Sequence, residues 1–316
     1  EKKVRVFSIA IALTLATWIR LDNIFLTIPV AVCCLYISGI KKGFLNGIYI
    51  ACLLSISWGI WTIRNISVKL PSLIPTNMIM PDGSRPPSGY LSWTKTWITH
   101  EYEKPGALWG VNRKNYLNIT IPDYAYYSDS EKIAVKKLLV DLQKADQLPF
   151  PKRIDDEFKF LAKLKKEQFP FKYWVENPVK RIYKMWTNPF SSFGWPNEIP
   201  SEGLSHSERL LVAKGNFNLL LIKIKKYPFR SISKVLNAAY KFLLIILFLY
   251  SLFYVFTKNK KDMLCFLGLL STSYILSRTI FFSLNGYFET RYLATSIPFM
   301  ELLVVLCMFE KFKKKF

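Results

Sequence analysis

The residues best suited to chemistry in this sequence are charged or polar side chains at the ends of apolar runs. They are Arg20, Asp22, Arg64, Asn65, Arg278, Glu289, Arg291 and Tyr292. An ionisable residue at membrane depth is costly, so it is a candidate for function. A guanidinium group stays charged and can hold a phosphate through two parallel hydrogen bonds. We therefore predict a lipid-phosphate site formed by Arg64, Arg278, Arg291 and Tyr292, with the other four residues in support.

One alternative remains open for Arg278 and Arg291. Long basic side chains near a helix end also reach out to lipid headgroups without binding any substrate. Arg278 lies deeper in its apolar run than Arg291 does, so this alternative fits Arg291 better.

Six apolar segments must position these residues. They are 4–19, 24–40, 43–62, 235–256, 263–284 and 293–309. Most approach the roughly 20 residues that a helix needs to cross a bilayer. The fold class predicted is mainly α: a polytopic membrane protein with about six transmembrane helices. The spacing of Gly43, Gly47, Ala51, Ser55 and Gly59 predicts close packing of another helix against the third segment.

Three regions are predicted along the chain. Residues 1–63 hold the first three transmembrane helices, and residues 235–316 hold the last three and a basic tail. Residues 64–234 form a mixed extracytoplasmic domain between them, with amphipathic helices that rest on the membrane surface. Short helices are expected at 130–144, 156–168, 178–187 and 208–226.

Two details of these short helices can be read from the sequence. Ser128 and Glu131 form a capping box for the first, and Asp155 or Asp156 is expected to cap the second. The third is expected to present one apolar face, made of Val179, Ile182, Tyr183 and Trp186.

Basic residues in the short loops predict the orientation. The clusters are Lys2, Lys3 and Arg5; Lys41 and Lys42; Lys258, Lys260 and Lys261; and Lys311, Lys313, Lys314 and Lys315. All four fall on one side of the membrane if six helices cross it, and that side is the cytoplasm. We therefore predict an integral protein of a bacterial inner or plasma membrane, with both termini cytoplasmic.

The composition excludes several classes of function. The net charge is +22, but region 64–234, with 28 basic and 16 acidic residues, is predicted to lie outside the cytoplasm. Anionic lipid or a phosphate-bearing substrate is therefore expected as partner, and nucleic acid is not. No GxGxxG or P-loop occurs.

Metal and cofactor chemistry finds little support in the residue pattern. The two histidines, His100 and His206, have no cysteine neighbour, so no metal site is predicted. Residues 155–157 are three acids at a predicted helix start, where a structural role is expected. No cofactor is predicted, although a divalent metal is left open.

Three stretches resemble a known family. Residues 58–65 are similar to the Trp-x-x-Arg-Asn element of the membrane-embedded GT-C glycosyltransferases, and 16–22 are similar to the Leu-x-Arg turn of that family. Residues 289–298 resemble its Arg-Tyr-x-x-x-x-x-Pro element. The branch resembled is that of bacterial protein-mannosyltransferases and aminoarabinose-transferase-like proteins.

The resemblance implies an activity. In that family a sugar moves from a polyprenyl-phosphate donor to an extracytoplasmic protein, lipid or glycan, and arginines neutralise the leaving phosphate. The catalytic carboxylates of the family lie in a first outer loop that has no counterpart here, so no catalytic residue is predicted. The chain, which begins at Glu1, is expected to be the C-terminal portion of the enzyme. The alternative is a non-enzymatic membrane protein, such as a lipid or polysaccharide transporter or an assembly subunit.

Overall fold

The structure, a computed structural model, is almost entirely helical. It describes residues 2–19, 21–68, 86–101, 103–187, 208, 212, 215–257, 263–286 and 290–313, and no strand occurs in these ranges. The α-helices described are α1 (Lys2–Ile19), α2 (Thr27–Ser67), α3 (Ser88–Thr94), α4 (Gly110–Asn112), α5 (Asp129–Gln143), α6 (Lys152–Gln168), α7 (Asn177–Thr187), α8 (Asn218–Lys226), α9 (Pro228–Thr257), α10 (Met263–Asn285) and α11 (Ile297–Lys313). The predicted mainly α class is confirmed.

Four of the described helical stretches are long and apolar enough to cross a membrane. They are Asn23–Ser67, Ser231–Thr257, Met263–Asn285 and Tyr292–Lys313. A fifth apolar helix, Val6–Thr17, is shorter. In a bilayer such segments satisfy every backbone hydrogen bond internally only as helices. The structure therefore indicates a membrane protein.

A sharp break divides α2 at Gly39. This residue has φ 74° and ψ 167°, a conformation that favours glycine. A Cβ atom built on Gly43 would lie 2.5 Å from the Cα of Leu35, whereas residues eight apart in a continuous helix are separated by about 12 Å. The chain thus folds back at Gly39, at the end of the predicted segment 24–40 and before the predicted segment 43–62.

The predicted ladder of small residues packs closely at one end. A Cβ atom added at Gly43 would lie 2.5 Å from the Cα atom of Leu35 and 2.6 Å from the backbone oxygen of Cys34. A Cβ atom added at Gly47 or Gly59 would meet nothing within 4 Å, so the expectation of a close helix contact is wrong at those two positions.

The chain divides into two compact units. The first, which we call the apolar-helix unit, comprises Glu1–Asn77, Lys241–Thr279 and Thr295–Phe316. The second, the polar unit, comprises Met78–Tyr240 and Ile280–Ala294. In the apolar-helix unit, Ala10 and Leu13 of α1 pack with Ile50 of α2 in one buried cluster.

Aromatic side chains form the core of the polar unit. Tyr90, Trp93 and Phe158 are fully buried, and the rings of Tyr90 and Phe158 meet edge to face with their centroids 5.0 Å apart. A Cβ atom at Gly89 would lie 1.8 Å from the backbone oxygen of Asp155, so only glycine allows α3 and α6 to approach this closely. These contacts fix α3 against α6.

The helix starts differ in how well the sequence predicts them. The side chain of Ser128 accepts a hydrogen bond from the backbone N–H of Glu131, which confirms the predicted cap of α5. The predicted cap of α6 is wrong, because α6 begins at Lys152 after Pro151. Asp155 instead accepts a hydrogen bond from the backbone N–H of Tyr90 at 2.9 Å, in the first turn of α3.

The face of α7 that packs within the polar unit is not its predicted apolar face. Its buried residues are Asn177, Pro178, Arg181 and Met185. Val179 and Tyr183, two residues of the predicted apolar face, are 57% and 61% exposed. The guanidinium group of Arg181 donates to the backbone oxygens of Lys95, Ile98 and Ser283, so the unit holds α7 by the face that carries Arg181.

Candidate functional site

Arg278 is the predicted site residue with the most distinctive surroundings. It lies in α10, an apolar helix, and its side chain is 0% exposed. Its Nη1 atom donates to Tyr274 Oη at 3.4 Å, and its Cζ atom lies 5.5 Å and 5.8 Å from the ring centroids of Tyr274 and Phe25. A cation within about 6 Å of an aromatic face is attracted by it. This full burial argues against a role limited to reaching lipid headgroups.

Tyr274 is itself fixed by contacts from the last part of the apolar-helix unit. Its hydroxyl lies 3.2 Å from Thr295 Oγ1, and its ring centroid lies 4.7 Å from that of Phe299. The Tyr274 ring beside Arg278 is therefore held by Thr295 and Phe299, which follow α10 in the chain.

Arg64 and Asn65 contact each other at the end of α2. Arg64 Nη1 donates to Asn65 Oδ1 at 3.2 Å, and the guanidinium carbon lies 5.3 Å from the Trp61 ring centroid. Arg64 is exposed while Asn65 is buried. The Arg64 guanidinium group is therefore held by Trp61 and Asn65, and the rest of it is exposed to solvent.

The remaining predicted site residues are only partly described. The Tyr292 ring stacks on Phe282 with the centroids 4.5 Å apart. Arg20 and Glu289 lie outside the described residues, as do the side chains of Asp22 and Arg291. The convergence of Arg64, Arg278 and Arg291 on one phosphate stays a prediction.

The polar unit contains a buried ion pair that the sequence analysis missed. One oxygen of the Glu131 carboxylate accepts from Lys165 Nζ and from Trp93 Nε1, each at 2.8 Å. Its other oxygen accepts from the backbone N–H of Tyr127 at 2.7 Å. Lys165 also donates to the backbone oxygen of Ala125. Both charged groups therefore have charge-assisted partners away from water.

A cavity of about 200 Å³ opens beside this pair. It is lined by Ser128, Ser130, Glu131, Leu161, Leu164, Lys165, Gln168 and Phe169. Burial lowers the pKa of Lys165 to about 8, although the Glu131 carboxylate opposes the shift. An amine with such a pKa exchanges a proton near neutral pH, so the pair combines structural and acid–base capacity.

A signal for Lys165 was present in the sequence. Ile154, Phe158 and Ala162 form the buried stripe of α6, and Lys165 follows them at helical spacing. Its position on that stripe indicates that the lysine is buried. Glu131 was recognised only as part of a capping box. Glu131 and Lys165 lie 34 residues apart in the sequence, and no local pattern connects them. The pair was therefore not predicted.

A second carboxylate, that of the half-buried Glu103, organises the loop after α3. It accepts from the backbone N–H groups of Thr99 and His100 at 2.7 Å and 3.1 Å, and from Tyr124 Oη at 2.8 Å. Burial raises the pKa of Glu103, and the three hydrogen bonds oppose that shift. Burial also lowers the pKa of the His100 imidazole to about 4, with Lys184 adding to the effect.

Among the residues that the structure describes, no group of three or more His, Cys, Asp or Glu side chains is placed to hold a metal ion. Asp155, one of the three consecutive acids, is engaged with the backbone of Tyr90.

Comparison with known proteins identifies no relative. No protein-family model, no curated protein and no solved structure matches the chain.

Proposed function

We propose that the chain belongs to a membrane glycosyltransferase of the GT-C type. It would transfer a sugar from a polyprenyl-phosphate donor to an extracytoplasmic acceptor. The observation that carries this proposal is Arg278, a fully buried guanidinium group between aromatic rings inside an apolar helix. Such a group suits the phosphate of a carrier whose tail stays among apolar helices.

The proposed topology has six crossings, with both termini in the cytoplasm of a bacterial cell. The fold-back at Gly39 supports it, because it divides α2 into two apolar helices. Residues 64–234 would then lie outside. An impermeant thiol reagent added from outside should label Lys144→Cys and spare Lys42→Cys in intact cells, whereas equal labelling would contradict this topology.

In the proposed reaction, the acceptor attacks the anomeric carbon of the sugar and the polyprenyl phosphate leaves. Negative charge then builds up on the leaving phosphate, and preplaced arginines stabilise it. Arg278 would serve this role with Arg64 and Arg291, and Tyr292 would add a hydroxyl donor. The base that activates the acceptor is not assigned to a residue of this chain.

Binding of a polyprenyl phosphate to the full chain in nanodiscs tests the proposal. A lost hydrogen bond to a charged group costs about 1.5–3 kcal/mol, so Arg278→Ala should weaken binding roughly ten- to hundredfold. Arg278→Lys should also weaken it, because Lys keeps the charge but lacks the planar fork. Arg64→Ala and Arg291→Ala should act in the same direction.

The matched control is Lys42→Ala, which removes an exposed basic residue of the same unit. It should leave binding unchanged. Unchanged binding in all the arginine variants, with helix content retained by circular dichroism, would rule out the phosphate site.

A further inference from the structure

Helix α7 leaves an apolar surface uncovered while it buries an arginine. The three backbone oxygens that Arg181 reaches hold one side of the helix, and Asn177 Nδ2 adds a hydrogen bond to the backbone oxygen of Thr96 at 2.6 Å. Val179 and Tyr183 are thereby turned outward, with more than half of their surface exposed. A helix that is packed by one face leaves apolar side chains on the opposite face available to another partner.

The turn before α7 extends this surface. Phe171, Trp174 and Val175 are 69%, 59% and 43% exposed. Positions 171, 175, 179 and 183 are four residues apart along one helical path, which includes the wider turn Lys172–Glu176. We call the set Phe171, Trp174, Val175, Val179 and Tyr183 the exposed apolar face.

Basic residues border the exposed apolar face. Lys180 and Lys184 are exposed and each follows a residue of the face. Lys180 is paired with Glu176, so Lys184 carries the less compensated charge of the two. With the buried Arg181 set aside, residues 171–187 hold three basic side chains, Lys172, Lys180 and Lys184, and one acidic side chain, Glu176. The border is therefore positive, in keeping with the basic excess of the whole chain.

We propose that the exposed apolar face lies in the headgroup layer of a membrane leaflet that contains anionic lipids. Tryptophan and tyrosine prefer this depth because their rings are apolar and their N–H and O–H groups stay wet. Lysines beside an apolar helix face are attracted by anionic headgroups. The four long apolar helices of the same chain indicate that a bilayer is present. This inference does not depend on the glycosyltransferase proposal.

Photo-crosslinking of the full chain in proteoliposomes tests the inference. Trp174 and Tyr183 are replaced, one at a time, by the photoreactive amino acid p-benzoylphenylalanine, and Lys163 on α6 is replaced as control. Lys163 has a side chain that is 74% exposed and lies in a polar stretch. The vesicles contain equal amounts of phosphatidylglycerol and phosphatidylcholine, and adducts are identified by mass spectrometry.

Lipid adducts at positions 174 and 183, but not at 163, are the expected result. Each lysine near an anionic surface adds about fivefold to binding, so Lys184→Gln should reduce the adduct yield by up to about fivefold. In pure phosphatidylcholine the yield should fall and the effect of Lys184→Gln should disappear. Adducts only to other segments of the chain, or only to a second copy, would overturn the inference. Equal lipid yields at all three positions, or no lipid adduct at 174 and 183, would overturn it as well.

Discussion

Glu131→Gln is the substitution for which the structure allows the sharpest expectation. It keeps the length of the side chain but removes the negative charge that Lys165 Nζ meets at 2.8 Å. Lys165 has only 2% of its side chain exposed, so the substitution leaves a buried ammonium group without its ionised partner. Breaking a buried ion pair from one side typically costs about 3–5 kcal/mol. We expect the free energy of unfolding of the polar unit to fall by this amount.

Hydrogen exchange of the full chain in detergent, followed by mass spectrometry, measures this change locally. Peptides from α5 and α6 report opening of the polar unit, and peptides from α2 serve as an internal reference. A loss of 3–5 kcal/mol corresponds to a decrease in protection of about two to four orders of magnitude. The reference peptides of α2 should keep the protection of the unaltered protein.

Asp141→Asn on the same helix is the matched control. Asp141 pairs with Lys144 at 3.1 Å, but the Lys144 side chain is 72% exposed. Pairs of this kind contribute at most about 1 kcal/mol, so protection should change by about fivefold or less. If Glu131→Gln lowers protection no more than Asp141→Asn does, the buried pair does not stabilise the unit.

The double variant Glu131→Gln with Lys165→Met separates pairing from packing. Removing the second charge leaves no unpaired ion, and an apolar replacement of a buried pair is often close to neutral. Part of the lost protection should therefore return. Strictly additive losses in the double-mutant cycle would contradict a direct interaction between the two residues.

Three further outcomes are expected for the polar unit. His100 has a pKa of about 4 when folded and a higher one when unfolded, so the unfolded chain binds more protons between these values. Stability should therefore decrease as the pH falls from about 6.5 towards 4, and His100→Asn should flatten that part of the pH profile of hydrogen exchange. Arg181→Lys should lower the melting temperature, because an ammonium group cannot reach the three backbone oxygens that the planar fork reaches; an unchanged melting curve would refute this. Gly89→Ala places a Cβ atom 1.8 Å from a backbone oxygen, so it should cost about 3 kcal/mol or more, whereas Gly59→Ala, with open space around it, should be tolerated. Similar thermal shifts for the two alanine variants would count against the close approach of α3 and α6.

The long helices were predictable because an apolar segment of this length in a bilayer can form all of its backbone hydrogen bonds internally only as a helix. The break in α2 was also visible, since Lys41 and Lys42 interrupt the apolar sequence close to Gly39. Helix α5 was predicted to within a residue, because the Ser128 cap and the apolar spacing agree. Local signals were sufficient at each of these positions.

The sequence could not predict which face of α7 is buried. That choice depends on the backbone oxygens of Lys95, Ile98 and Ser283, which lie 83 to 102 residues away from Arg181 in the sequence. The ion pair of Glu131 with Lys165 was missed for the same reason, since its partners are 34 residues apart. In the candidate site, the deep position of Arg278 could be predicted from its apolar neighbours in the sequence. The contact of its guanidinium group with the Phe25 ring could not, because Phe25 is distant in the sequence.

The composition of the polar unit from two separate stretches has a consequence for how the chain is made. Arg181 and Lys95 each have a hydrogen-bond acceptor in the second stretch, at Ser283 and Asn285. The ribosome adds these acceptors only after it has synthesised α9 and most of α10, about 100 residues after Arg181. The polar unit of the nascent chain therefore lacks these hydrogen bonds until the two apolar helices α9 and α10 have been synthesised. A fragment that ends at residue 234 would remain in that state permanently, so it should be prone to proteolysis and aggregation even though it contains nearly all of the unit's core.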